Sequence, residues 1–340
     1  MDNLTHTLTG IALGQAGLKR KSRFAMLGLI IASNLPDVDI VARARGSLAY
    51  LEHHRGITHS LIGLTVLAAI LAAVLYALGR HATARKNAPP LSLKWLFLVC
   101  WIGAAVHVLM DFTNQYGIRP FLPFSGRWYA LDLVPIIDMW LLLVLLLGLC
   151  VPGVLGLVTE EVGARKGSAK AVRNGAIFSL CAIAALGGLR GLSHHRVLNM
   201  LGAHTYGEEN PVRLDAFPTA LNPFDWRGVV ETDSAYYLLD ASALAGDVGV
   251  EEAAVLRKPP PSRALDAAQQ TPVAKAFLEF ARLPYAIVYA DEDGFRVYLR
   301  DLRFARPGIP YWNFVAEVVL DQSLRVKTQN FEFVMKKPVY

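Results

Sequence analysis

Histidines and aspartates recur at short spacings between residues 6 and 138: His6 in "THTLTG", Asp37 and Asp39 in "SNLPDVD", and His53, His54 and His59 in "EHHRGITHS". His107 and Asp111 follow in "HVLMD", and Asp138 in "LVPIID". Neutral imidazole and carboxylate are the donors that hold divalent cations such as zinc. A helix presents His107 and Asp111, four apart, on one face. Inside an apolar run such an ionisable pair is costly and usually functional. Asp37 and Asp39 come just after Pro36, where one carboxylate can ligate while the other orients a histidine. His54 and His59 straddle Gly56, so a loop entering a helix directs both inwards, with Thr58 as the expected N-cap. Arg55 offers a planar fork of donors suited to phosphate or carboxylate. Plainer readings stand beside these: an acidic helix exit for Asp37 and Asp39, side chains in the headgroup region for the histidines at the helix end, and a packed polar residue for His6. Asp138 is set in an apolar surrounding, and Asp132 is the expected cap of the helix that follows. His204 and Glu208 repeat the four-residue spacing in a glycine-containing linker, a weak signal.

The elements that must position these residues are membrane helices. The chain has 340 residues, 54% of them hydrophobic, and a positive mean hydropathy of +0.35, too apolar for an ordinary soluble enzyme. Crossing a bilayer takes about 20 apolar residues. Runs of that kind occupy 60–79, 94–113 and 133–158, with a fourth at 174–192. Segments 3–18 and 24–42 are shorter or interrupted, and are read as spans or as buried, partly re-entrant helices. Three basic clusters lie between the runs: Lys19, Arg20, Lys21 and Arg23; Arg80, Arg85, Lys86 and Lys94; and Arg165, Lys166, Lys170 and Arg173. If each run crosses once, all three fall on one side, which is the cytoplasm. The histidines and aspartates then gather at the opposite face.

Other classes recede. The three cysteines have no C-x-x-C spacing, so neither a disulfide framework nor a zinc knuckle is expected. The N-terminus lacks a basic leader and cleavage site, so the first residues are expected to remain. The net charge of +6 is accounted for by the loops, and without a basic face bearing interleaved aromatics no nucleic-acid partner is expected. Beyond residue 193 prolines and alternating stretches take over, as in "YAIVYADEDGFRVYLRDLRF", where "DEDG" marks a hairpin turn. "DAAQQTPVAKAFLEFARL", 266–283, reads as one amphipathic helix. The expected fold is an α-helical polytopic membrane domain of five to six helices, residues 1–192, followed by a small extracytoplasmic α+β domain with an antiparallel sheet, residues 193–340.

The ordered set "LTHTLTG", "LPDVD", "HRGITHS", "HVLMDFTNQYG" and "PFSGRWYALDLVPIID" resembles the bacterial membrane-bound metal-dependent hydrolases of the YdjM type over about residues 1–145. "NPFDWRGVVET" and "DLRF" are similar to the extracytoplasmic extension of longer members. The resemblance implies distant kinship with zinc-dependent phospholipase C and single-strand-specific nucleases. It implies metal contacts from His6, Asp37, His59, His107 and Asp111, with Asp39, His54 and Asp138 as further ligands or partners of the ligands. The second histidine cluster and H-x-x-x-E pair of the soluble relatives are missing from the helical part, which points to two zinc ions rather than three. The expected activity is hydrolysis of a phosphate ester of an amphiphilic or lipid substrate at the outer face of the bacterial inner membrane. Asp39, Arg55 and His54 are the residues assigned to catalysis, Asp39 as proton acceptor and Arg55 opposite a phosphate oxygen. Membrane lipids and a lipid-phosphate substrate are the expected partners. Two alternatives remain: a non-catalytic receptor or regulator stapled by metal, and a transporter, which fits less well because the polar residues gather at one face.

Overall fold

The computed structural model describes residues 1–84, 86–161, 168–306 and 311–336. Arg85, Arg165 and Lys166 of the basic clusters lie outside the described residues. Two compact units are formed, one from Met1–Asp39, Arg55–Ser193 and Pro218–Pro223, the other from Ile40–His54, His194–Phe217 and Phe224–Tyr340.

The first unit is built on α1 (Asn3–Ala16), α2 (Ala25–Ala32), α4 (Leu61–His81), α5 (Leu93–Phe112), α6 (Met139–Glu161) and α7 (Ser168–Gly202), whose last residues enter the second unit. Side-chain caps start several of these helices: Asp2 accepts from the Thr5 amide at 2.9 Å, and Ser60 accepts from the Gly63 amide at 3.0 Å. The cap of α4 is therefore Ser60 and not Thr58. Pro36 lacks an amide hydrogen and clashes with a continuing α-helical turn, and beyond α2 the chain tightens into a 3-10 stretch, Leu35–Arg45. Among the described residues, four helical segments are long and apolar enough to cross a bilayer: Ala25–Arg45, Leu61–His81, Leu93–Phe112 and Ala169–Gly202, with Met139–Val154 shorter. A helix the length of α4 spans about 31 Å, the thickness of the hydrocarbon layer.

Burial along α4 separates a lipid-facing stripe from a packed one. Val66, Ile70, Val74 and Leu78 are exposed at four-residue intervals, whereas Leu64, Ala68, Ala72 and Leu75 are buried against neighbouring helices. Among apolar lipid tails, helices associate through close packing of small residues. Gly10 of α1 shows how close: a Cβ there would lie 2.4 Å from Ser33 Oγ and 2.9 Å from the Leu29 carbonyl oxygen of α2. The helices share one polarity of charge. His6 stands near the start of α1 and Lys19 and Arg20 follow its end; Arg23 precedes α2 and Asp37 follows it. His59 precedes α4 and Arg80 lies in its last turn; Lys94 opens α5, and His107 and Asp111 close it. The ligand-type residues thus occupy one end of these helices, and the described lysines and arginines of the first two basic clusters occupy the other.

The second unit contains two four-stranded sheets. One has the order β1 (Arg213–Pro218), β2 (Asp225–Glu231), β3 (Ala235–Ser242), β4 (Ala254–Arg257), and the other β5 (Pro284–Asp291), β6 (Gly294–Asp301), β7 (Tyr311–Leu320), β8 (Val326–Lys336). The strands from β5 to β8 pair antiparallel, and the "DEDG" turn joins β5 to β6 with Asp291 opposite Gly294. Phe217, Val229, Leu238, Leu283 and Leu302 form a buried core. The expected helix over 266–283 is two helices, α8 (Arg263–Gln269) and α9 (Pro272–Phe280). Pro272 has no amide hydrogen to continue α8, and Thr271 caps the new helix by accepting from the Ala274 amide. The short helix α3 (Ser47–His53) also belongs to this unit, where Tyr50 meets Phe333 edge-on with ring centroids 5.5 Å apart. An α-helical membrane region followed by an α/β region with antiparallel sheets is the fold class the sequence implied.

Candidate metal centre

Four donors from three different segments meet at the ligand end of the first unit: Asp37 after α2, His59 before α4, and His107 and Asp111 on the last turns of α5. His59 Nε2 lies 3.2 Å from His107 Nε2, 3.5 Å from Asp37 Oδ1 and 3.4 Å from Asp111 Oδ2. His107 Nε2 lies 3.6 Å from Asp37 Oδ1 and 3.5 Å from Asp111 Oδ2. Metal bonds of about 2.0–2.1 Å set tetrahedral donor atoms about 3.3–3.4 Å apart. Five edges of the four-atom set match that spacing to within a few tenths of an ångström. The Asp/His cluster can therefore hold a metal ion.

Hydrogen bonding orients both imidazoles towards the centre. His107 Nδ1 donates to the Ser33 carbonyl at 2.8 Å, which leaves its Nε2 as a lone pair. The Thr58 hydroxyl donates to Asp39 Oδ2 at 3.0 Å, so its oxygen accepts from His59 Nδ1 at 3.1 Å. His59 Nε2 is then a lone pair as well, with the tautomers assigned from this network. Two lone pairs facing each other at 3.2 Å, flanked by two carboxylates, repel unless a cation lies among them. The His59, His107 and Asp111 side chains are fully buried, while Asp37 retains 17% exposure and forms the accessible edge of the set.

The remaining expected residues sort by position. His6 is buried, its ring stacked on His107 with centroids 3.9 Å apart and its Nε2 3.4 Å from Asp111 Oδ1. Neither of its ring nitrogens has a hydrogen-bond partner among the described residues. The Met1 amino group also contacts Asp111 Oδ1. Asp39 adjoins the set without joining it: Oδ2 accepts from the Arg55 amide at 2.8 Å and from Thr58, which makes it a support for His59. The Arg55 guanidinium, expected opposite a substrate phosphate, is turned into the protein. It donates to Asp111 Oδ1 and Asn114 Oδ1, both at 2.9 Å, and lies over the Tyr116 ring.

His54 is not gathered into the four-donor set. It belongs to the second unit, where its ring stacks on Tyr50. Asp138 is likewise engaged elsewhere: Oδ2 pairs with Arg190 at 2.7 Å, and Oδ1 caps α6 by accepting from the Trp140 and Leu141 amides. That cap falls to Asp138 and not to Asp132. His204 pairs with Asp247 at 2.5 Å, not with Glu208. Asn114 and the Ser33 carbonyl were missed. Asn114 lies in the quoted "HVLMDFTNQYG" and announced itself only by proximity to Asp111, and a backbone carbonyl has no residue signature.

Residues 1–197 match the family described as YdjM inner membrane protein. The chain belongs to that family. The matched stretch contains all four donors of the centre. Residues 263–338, which carry α8, α9 and β5–β8, match the YfhP C-terminal alpha/beta plait domain. The chain is also similar to "Uncharacterized protein YfhP" of Bacillus subtilis (strain 168), at 25% identity over 96% of this chain and 94% of that protein. No solved structure matches it. YdjM membership together with four candidate spans makes this a multi-pass inner membrane protein.

Proposed function

We propose that the centre binds a divalent cation, zinc by its nitrogen and oxygen donors, and that the protein is a metal-dependent hydrolase of a phosphate ester carried by an amphiphilic substrate. The observation that carries this reading is the pair of opposed imidazole lone pairs completed by Asp37 and Asp111 at tetrahedral spacing. Asp37, Asp39 and Asp111 bring three carboxylates to the centre against the Arg55 guanidinium and the Met1 amino group, which leaves an acidic excess that attracts a cation. A second ion, which the sequence resemblance implied, would share Asp111 with His6 on the side where Arg55 already donates. Arg55 and the Met1 amino group already contact that oxygen of Asp111, so the four-donor set is the primary site.

A cation held in this set supplies Lewis-acid activation of water and of an ester oxygen. The chain's own residues hold and orient it. Asp39 and Thr58 fix the His59 ring, and the Ser33 carbonyl fixes His107. Arg55 and Asn114 hold Asp111. The partly exposed Asp37 marks the side from which substrate arrives. The position of the set at the end of membrane-length helices suits a substrate with an apolar anchor. The charge polarity of the helices supports an outward-facing centre.

A second reading has its own observation: three of the four donor side chains are fully buried, as in a metal that staples helices without turnover. Hydrolysis separates the two. The detergent-purified protein, offered lipid phosphates and a generic phosphodiester, is expected to lose turnover on chelation and regain it with zinc, and Asp37→Asn is expected to abolish it. Undiminished turnover after complete metal removal contradicts the proposal, and metal binding with no turnover on any of these esters favours the staple.

A further inference from the structure

At the basic end of the first unit, the turn after α1, the first turns of α2 and the chain beyond α4 enclose an open cleft of about 890 Å³. It is separate from the metal centre, which lies at the other end of the same helices. Phe24, Met26, Leu27 and Ile30 give it an apolar floor, and Lys19, Arg20 and Arg23 supply cations. No aspartate or glutamate occurs among the described residues that line it. Arg23 is held in place because its guanidinium donates to the Gly79 and Ala82 carbonyls at 3.2 and 3.1 Å, so it closes the C-terminal end of α4 while keeping its charge at the cleft. Lys19 is steadied by Gln15, and Arg20 is exposed with no partner among the described residues. Phe24, a bulky residue, sits in the left-handed region at φ 63°. Such backbone is retained where the surroundings over-determine it.

An apolar floor beneath a purely cationic rim, at the end of membrane-length helices, complements a molecule with a phosphate head and an apolar tail. We propose that this cleft is a binding site for one anionic glycerophospholipid from the leaflet that meets the basic end, with its phosphate among Lys19, Arg20 and Arg23 and an acyl chain along Phe24, Leu27 and Ile30. Basic pockets between membrane helices take anionic headgroups by the same combination of Coulomb attraction and apolar contact. Nothing in this assignment depends on the metal centre.

Native mass spectrometry of the full-length protein in detergent, titrated with phosphatidylglycerol or phosphatidylcholine, tests it. The protein is expected to retain phosphatidylglycerol with about tenfold preference, as expected for a cationic pocket. The double variant Lys19→Gln, Arg20→Gln changes one half-buried and one exposed side chain and is expected to lose most of that preference. Lys86→Gln with Lys94→Gln, which removes the same charge outside the lining, is expected to preserve it. Equal retention of the two lipids, or a preference that survives in the first double variant, overturns the site. So does displacement of the lipid by millimolar inorganic phosphate, which would mark a free-anion site. Equal loss in both double variants also overturns it, since that would reduce the effect to overall charge.

Discussion

His59 and His107 owe their orientation to groups that are not themselves ligands, and this sets the first prediction. Replacing Asp39 by Asn keeps its shape but removes the carboxylate that receives the Thr58 hydroxyl and the Arg55 amide. Loss of such a supporting carboxylate typically weakens metal affinity about 10–100-fold. Competition against a chelator of known affinity should show that loss in Asp39→Asn, with the four donors intact; unchanged affinity would remove Asp39 from the centre. At this scale the sequence was most legible where spacing implies geometry, as for His107 and Asp111, which one helical face presents together. It was least legible where a partner is a backbone carbonyl or a distant side chain. The Ser33 carbonyl on His107 and Arg190 on Asp138 are of this kind. Asp138 looked like a ligand because an aspartate in an apolar setting is costly, and Arg190, 52 positions further along, is what offsets that cost.

At the scale of elements, the turn that carries His59 is locked onto α4. A Cβ added at Gly63 would lie 1.7 Å from the Ile57 carbonyl oxygen, well inside any contact distance. The clash is with backbone, so the 3-10 turn Ile57–His59 must shift, and donors held at tetrahedral spacing do not tolerate a shift of this order. Gly63→Ala is therefore expected to insert in the membrane normally yet purify with markedly less bound metal, read by metal analysis of the membrane-extracted protein. Equal metal content would show that the turn is not what positions His59. The membrane helices and the β5–β6 hairpin could be read from hydropathy and turn chemistry. The break between α8 and α9 was written in the sequence as Thr271–Pro272, a cap followed by a residue without an amide hydrogen, but the amphipathic period runs through it and hid the signal.

Over the whole molecule, charge polarity and ligand clustering are two views of the same helix arrangement. The described lysines and arginines of the first two basic clusters lie at one end of α1, α2, α4 and α5 and the donors at the other, and the proposed outward orientation of the centre rests on the retention of such clusters in the cytoplasm. Alkaline phosphatase fused after residue 202 is expected to be active, and a fluorescent protein that folds only in the cytoplasm is expected to stay dark there; the reverse pattern would place the second unit inside. Chain-wide alternation of apolar and basic runs made this polarity legible. The membership of Ile40–His54 in the second unit was not, because contacts such as Tyr50 with Phe333 join positions nearly three hundred residues apart and leave no local pattern. The central claim, that the donors around His59 and His107 share a cation, is tested most directly by the metal content of the full-length protein purified without added metal, beside His59→Ala and His107→Ala. The four-donor set predicts about one zinc per chain in the parent protein and a large loss in both variants while each still inserts. A metal-free parent that cannot be loaded with zinc, or variants that retain the parent's content, would contradict it.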